Sequence, residues 1–229
     1  MLVAVSAMHG RHAISSAWAE HTASLGFDAV SIAVTEGDTS NVETCKGYGF
    51  TVTECPNEPL AQKFNLAMKY AMTAGATRIM ILPSDDFASP EWVHSARTHE
   101  ADYLIPHTCG IYNAMTGAAY RITKNSLTGQ LRFGAGRVVS RRVVDALGGQ
   151  LWPEHLNKGL DSASNQRIQK AKFAPTVVTV PGVPLTDVKT SENLWPYKTW
   201  EGGSQYLSAD DALHMVSPSV RAQIDTLRK

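Results

Sequence analysis

The residues with the clearest chemical potential are Ser84-Asp85-Asp86, which follow Pro83 at the end of the apolar run Arg78 to Leu82. Two adjacent carboxylates at the end of a buried strand can hold a hard divalent cation, Mg2+ or Mn2+, against phosphate oxygens. The same pair could instead cap a helix opening near Ser89-Pro90-Glu91, because Asp and Ser side chains accept from the unpaired N–H groups of a first turn. A second concentration of chemistry is cationic. Between Asp102 and Asp145 there is no acidic residue, yet Arg121, Lys124, Arg132, Arg137, Arg141 and Arg142 all fall there. Arginine forks match phosphate oxygens, so Arg137, Arg141 and Arg142, presented after the turn Gly134-Ala135-Gly136, are candidates for an acceptor or phosphate site. The plain alternative is a solvated face whose acids lie elsewhere in space.

Other patterns carry less. His9-x-x-His12 and His107-x-Cys109 lack a third and fourth metal ligand at usual spacing. Gly134-Ala135-Gly136-Arg137 has neither the GxGxxG fingerprint nor a Walker Lys, and no GxSxG elbow is present.

The elements that must position the carboxylates alternate. Leu2 to Ala7 reads as a strand, a polar break follows at His9 to His12, and a helix runs through Ile14, Trp18 and Leu25 to Gly26. A second strand, Ala29 to Val34, enters the turn Thr35-Glu36-Gly37-Asp38, and a third apolar stretch lies at Phe50 to Val52. Leu60, Phe64, Met68 and Met72 recur at i+4 as one helical stripe that stops at Gly75. The strand Arg78 to Leu82 follows. Strand and helix alternation over residues 1–92 predicts an open, mostly parallel, Rossmann-like α/β sheet with its ligand site at the carboxyl ends of the strands. Residues 93–229 read as a less regular half: a strand at Tyr103 to Pro106, hairpin turns within Ile111 to Thr128, a helix over Val138 to Leu147, a strand at Thr176 to Val180, and a helical tail from Ala209 to Lys229. No linker or repeat divides the chain, so 1–229 is expected to form one domain, with 1–92 as the half that carries the expected ligand site.

The whole-chain quantities narrow the class. With 229 residues the chain can bury a core without staples. Its 21 Lys and Arg balance 21 Asp and Glu, which argues against holding nucleic acid by bulk charge while leaving room for a local basic face. Cys45, Cys55 and Cys109 are odd in number and form no CxxC, so neither a disulfide framework nor a zinc knuckle is expected, and the cytoplasm is the simplest compartment. Met1 to Met8 is too short for a signal core, and no stretch approaches the roughly 18 apolar residues of a membrane span.

The run from Asn57-Glu58-Pro59-Leu60 through Asn65 and Gly75 to Pro83-Ser84-Asp85-Asp86 and Ser89-Pro90-Glu91-Trp92 resembles the core signature of GT-A glycosyltransferases, especially those of family 2. The resemblance extends more loosely over Leu2 to Ile168. It implies sugar transfer from a nucleotide-sugar donor, a UDP-sugar for preference, to an acceptor hydroxyl, with Asp85 and Asp86 holding Mn2+ or Mg2+. It also implies donor contacts at Ser6, Arg11, Glu36, Asn65 and Asp85. Gly148-Gly149 followed by Gly159-Leu160-Asp161 is similar to the family's element bearing an inverting general base, a role Asp161 would fill unless it caps the helix Ser162 to Ile168. The small size is similar to compact phage-type members, some of which decorate modified bases in DNA. That likeness makes a nucleic-acid acceptor and a host cytoplasm expectations of this reading.

Two departures keep other readings open. Pro83 stands where the family's first Asp is expected, which allows a catalytically silent binding protein on the same fold. A sugar-nucleotide nucleotidyltransferase would share the sheet and use the same acidic pair. It would place a Gly-rich, Arg-containing loop after the first strand, as Gly10-Arg11 does, but with a Lys soon after, whereas the next here is Lys46.

Overall fold

A computed structural model describes residues 1–123, 134–191 and 205–228. Strand β1 (Leu2–Met8) pairs in parallel with β2 (Ala29–Thr35) on one side and with β4 (Arg78–Ile81) on the other, and β3 (Thr51–Cys55) continues in parallel beyond β2. Past β4 come β9 (Val138–Ser140), then β6 (Tyr103–Pro106), then β10 (Thr176–Val178), completing a seven-stranded sheet in which β9 alone runs against the rest. The expected mixed α/β architecture with a mostly parallel central sheet is the one found.

Both faces of this sheet are covered, and β1 records it residue by residue. Leu2, Ala4 and Met8 join one buried apolar cluster, while Val3, Val5 and Ala7 join the other. A strand buried on both faces has no polar side to alternate with, which is why its sequence is apolar at every position but Ser6. Helix α1 (His12–Ser24) and helix α2 (Thr39–Gly47) lie with the first cluster, and helix α3 (Leu60–Thr73), through Phe64, Ala67, Met68 and Ala71, with the second. Each fully buried Val, Leu or Ile contributes about 1.5–3 kcal/mol, so this two-sided core is the main source of stability.

A second sheet lies beyond the fourth strand: β12 (Gln205–Leu207), β8 (Ala119–Thr123), β7 (Thr108–Asn113), β11 (Leu185–Lys189) and β5 (Asp86–Ala88), in that order. Four residues, the loop Leu82–Asp85, separate β4 from β5 and join the two sheets.

Three local expectations are revised. Helix α2 has only Asn41, Val42 and Cys45 buried, too few for a stripe, and Asp38 starts it by accepting from Asn41 N. Val138 to Leu147 divides into β9 and helix α5 (Arg141–Ala146), because Ser140 Oγ accepts from Val143 N and begins the helix there. Helix α4 (Pro90–Thr98) is capped by Ser89, whose Oγ accepts from Trp92 N at 3.1 Å. Asp85 and Asp86 are therefore not the cap. The carboxyl-terminal tail also does more than cover the surface: after the short helix α7 (Ala209–Ala212), helix α8 (Pro218–Asp225) sinks Val220 and Ile224 into the core against α1.

Candidate active site

Chain order reverses direction at β1: β2 lies to one side and β4 to the other. In an open α/β sheet that reversal leaves a crevice outside the carboxyl ends of the two central strands. The loop His9–Arg11 leaves β1 there, and Ser84–Asp86 leaves β4 there. Gly10 and Arg11 both have positive φ, 55° and 50°, so the chain turns sharply after β1. Left-handed backbone at a non-glycine residue costs about 1–3 kcal/mol and is kept where the surroundings fix it. What it achieves here is direction: Arg11 Nη1 donates to Asp85 Oδ2 at 2.9 Å and Nη2 donates to Ser84 Oγ at 3.0 Å.

The next strand supplies the partner that the sequence reading did not find. Strand β5 pairs antiparallel with β11, setting Asp86 opposite Asp187. Lys189 Nζ stands 2.6 Å from Asp187 Oδ2, and Val188 N donates to Asp85 O at 2.8 Å, which stitches the loop to β11. Asp187 and Lys189 are two apart on one short strand and so share a face. That spacing, charge at alternate positions just after Pro184, was the available signal.

The three carboxylates differ electrostatically. Burial pushes Asp85 upward, but the charges of Arg11 and then Lys189 outweigh it and hold the carboxyl below its usual range. Asp86 is raised well above that range by burial and by the like charges of Asp187 and Asp85. Asp187 is pushed up to about 6, chiefly by burial, with Lys189 opposing. Lys189 itself is raised, since Asp187 and Asp85 more than offset its burial. Asp86 Oδ1 and Asp187 Oδ1 are buried without a hydrogen-bond partner among the described residues. A buried carboxylate oxygen left in that condition is costly unless a proton or a cation meets it.

Among the described residues no group of three or more His, Cys, Asp and Glu is disposed to hold a metal by itself. Two facing carboxylates with an open oxygen each do fit Mg2+ or Mn2+ in the mode where phosphates and water complete the shell. The donor set favours Asp86 with Asp187, while Asp85 is engaged by Arg11.

The other sequence candidates divide by position. Asp161 sits in the first turn of helix α6 (Leu160–Lys170), which begins at Gly159 with no side-chain cap. Its carboxylate lies against Gly134, where a Cβ would collide with Asp161 Oδ1, and its charge is felt at Asp86. Arg137 is fully buried beside it, with Nη1 donating to Ser164 Oγ at 2.7 Å and its carbonyl accepting from Ile81 N. Glu36 is exposed at the carboxyl end of β2, on the same sheet edge as the Arg11 loop.

Others are directed elsewhere. Ser6 is wholly buried within β1. Asn65 clamps the Trp152 backbone, donating to Trp152 O at 2.8 Å and accepting from Trp152 N. Arg141 and Arg142 stand at the opposite edge of the sheet, because β9 runs antiparallel and sets Ser140 beside Arg78. Arg141 pairs with Asp145 and lines a groove of about 640 Å3 between α3 and Gly148–Glu154, whereas Arg142 pairs with Asp102 and lies over the Phe173 ring. The three arginines are thus not presented together. Lys124 and Arg132 lie outside the described residues.

No family model matches the chain, and no curated protein does. Solved structures do. A nucleotidyl transferase from Methanothermobacter thermautotroptrophicus is 14% identical, with 79% of this chain and 88% of that one covered and a TM-score of 0.52. The inositol-1-phosphate CTP transferase from T. maritima is 8% identical over 98% of this chain and 95% of that one, TM-score 0.51. The 4-diphosphocytidyl-2C-methyl-D-erythritol synthase from Anaerococcus prevotii is 10% identical, with coverages of 78% and 86% and a TM-score of 0.53. At these identities the likeness is one of fold alone: a mixed α/β architecture with a mostly parallel central sheet. It corrects the expectation of glycosyl transfer to an acceptor hydroxyl, because the matching structures are nucleotidyltransferases, the alternative reading of the same acidic pair. None of these three is described as acting on nucleic acid, so the DNA-base acceptor gains no support. Among the described residues no helix is long and apolar enough to cross a membrane.

Proposed function

We propose that the chain is a divalent-metal-dependent nucleotidyltransferase that joins the nucleoside monophosphate of a nucleoside triphosphate to a phosphorylated small molecule, such as a sugar phosphate, and releases pyrophosphate. The observation that carries this reading is the facing pair Asp86 and Asp187, with an open oxygen on each, beside the cations Arg11 and Lys189 at the strand-order reversal. Under it a nucleotide sugar is the product, not the donor. Residues 1–92 and 93–229 act as one unit, since the first supplies Arg11 and Asp86 and the second Asp187, Lys189 and Asp161.

A phosphate-monoester oxygen of the acceptor attacks the α-phosphorus, a new P–O bond forms, and the bond from that phosphorus to the α,β-bridging oxygen breaks. The electron pair leaves on pyrophosphate. An acceptor whose second pKa is about 6 is already an anion at neutral pH, so no base need take a proton from it. Catalysis then rests on placement and charge. Asp86 and Asp187 would hold Mg2+ or Mn2+, which supplies positive charge to the phosphate oxygens when bound. Arg11 presents a planar fork suited to the departing phosphates. Lys189 stands behind Asp187 and keeps the site from an excess of negative charge.

The test is a screen of the four common nucleoside triphosphates against a panel of sugar and polyol phosphates with Mg2+, read by pyrophosphate formation. Pyrophosphate that depends on both substrates, and falls by at least ~10- to 100-fold in Asp187→Asn, is expected for loss of a metal-holding group. Triphosphate binding with no pyrophosphate from any pair would leave a silent binding protein and overturn the proposal.

A further inference from the structure

One carboxylate near the site is unaccounted for by that chemistry. Asp38, at the turn after β2, faces the Gly10–His12 loop and uses both oxygens. Oδ2 accepts from Gly10 N at 2.8 Å and from Asn41 Nδ2 at 2.8 Å; Oδ1 lies 2.9 Å from His12 Nε2 and accepts from Asn41 N at 3.4 Å. Asn41 Nδ2 also donates to Gly10 O at 2.9 Å, so Asp38 and Asn41 together grip both polar groups of Gly10. The side chain that leaves this gripped turn is Arg11, whose own backbone is left-handed and whose guanidinium reaches Ser84 and Asp85.

We infer that Asp38 is a positioning residue: it locks the turn after β1 so that Arg11 stands in the active site before any phosphate arrives. This rests on the reading above for the identity of Arg11's ligand, but not for the position of Arg11 itself. The residues meeting Asp38 suit the task. An ionised carboxylate has about four acceptor sites, and four donors occupy them here. Burial pushes the Asp38 carboxyl up, yet the bonds from Asn41, Gly10 and His12 outweigh it and keep it ionised below its usual range. Without the clamp the turn is left with Arg11 O accepting from Ser15 N and the long Ser15 Oγ bond to Gly10 O at 3.5 Å, and more of the fork's ordering falls at the moment of binding, at a loss of affinity.

Asp38 also caps α2, so the experiment must separate the two duties. Asp38→Ser does so: serine is a competent cap for Asn41 N, but its short hydroxyl cannot also hold Gly10 and His12. Two measurements on the full chain decide the matter. The first uses inorganic triphosphate with Mg2+ as the calorimetric probe, in wild type, Asp38→Ser, Arg11→Ala and the double variant. Asp38→Ser is expected to weaken binding about 10-fold, Arg11→Ala by at least as much, and the double variant no more than Arg11→Ala alone, because a residue that acts through Arg11 has nothing left to lose. Multiplying losses in the double variant, or wild-type affinity in Asp38→Ser, would overturn the inference.

The second measurement needs no ligand. The Arg11 Nη resonances, assigned by their loss in Arg11→Lys, should be slowed and resolved in the wild type and averaged in Asp38→Ser, with the core amides of β1 and β2 unchanged. Persistence of the slow signals would overturn the inference even if triphosphate binding fell. If the wild type binds no triphosphate, the functional reading fails, and the resonance comparison still decides the positioning role.

Discussion

Asp85 and Asp86 are neighbours in sequence and opposites in environment, and the difference is made by what each faces. Burial raises both carboxyls; at Asp85 the charge of Arg11 outweighs it and keeps the group ionised, while at Asp86 the like charge of Asp187 adds to it and drives the group toward its protonated form. The contrast gives a direct prediction. Asp187→Asn should weaken Mn2+-dependent triphosphate binding at least ~10-fold, the scale on which even the outer partners of metal ligands matter, while Asp85→Asn should leave the metal dependence in place and weaken binding through Arg11. Titration calorimetry with and without Mn2+ reads both, and loss of metal dependence in Asp85→Asn instead would return the metal to the Asp85 side. A second prediction concerns Gly134, whose missing side chain makes room for Asp161. Gly134→Ala should destabilise by about 1–3 kcal/mol, as overpacking does, and Asp161→Ala in the same chain should recover most of the loss. Equal denaturation midpoints for wild type and Gly134→Ala would show that the contact is not a constraint.

At the level of elements, Lys63 on α3 ties three strand ends together. It is buried, and Nζ donates to Met8 O at 2.6 Å, Thr35 Oγ1 at 2.7 Å and Asn57 Oδ1 at 3.4 Å, all neutral acceptors. Burial lowers its ammonium to about 8, with Cys55 and Asp38 opposing. Between pH 8 and 10.5 the unfolded chain therefore holds a proton that the folded chain has released, and stability contributed by this group rises with pH across that window. Subtracting the stability–pH profile of Lys63→Met from that of the wild type should give a difference that climbs from pH 8 to 10; a flat difference would contradict the assignment. The elements also explain what the sequence could disclose. β1, β4 and α3 were legible because their apolar runs and stripes are long, and Asp86 because it ends such a run. Helix α2 was not, having too few buried residues to make a stripe, and β11 was missed because five residues with two charges look like surface until β5 pairs with them. Asp187 reaches the proposed metal pair only through that register, and the alternate charges at 187 and 189 are its one local sign. Arg141 and Arg142 erred for a related reason: reading 138–147 as one helix concealed the antiparallel β9 that carries them to the far edge.

Across the whole molecule, the site is a junction. The crevice comes from the order of strands in the large sheet, and the second carboxylate comes from a strand of the small sheet, so neither half of the chain holds both Asp86 and Asp187. The proposed site is therefore complete only where the two sheets meet. The central claim is that the bond broken lies between the α- and β-phosphates of a nucleoside triphosphate. Phosphorus-31 NMR of the wild type with Mg2+, a nucleoside triphosphate and a sugar phosphate reads this directly. The account predicts growth of pyrophosphate together with a diphosphate-diester product, at equal rates and lost in Asp187→Asn. Appearance of nucleoside diphosphate with inorganic phosphate, or no change in a mixture where the triphosphate is bound, would contradict it.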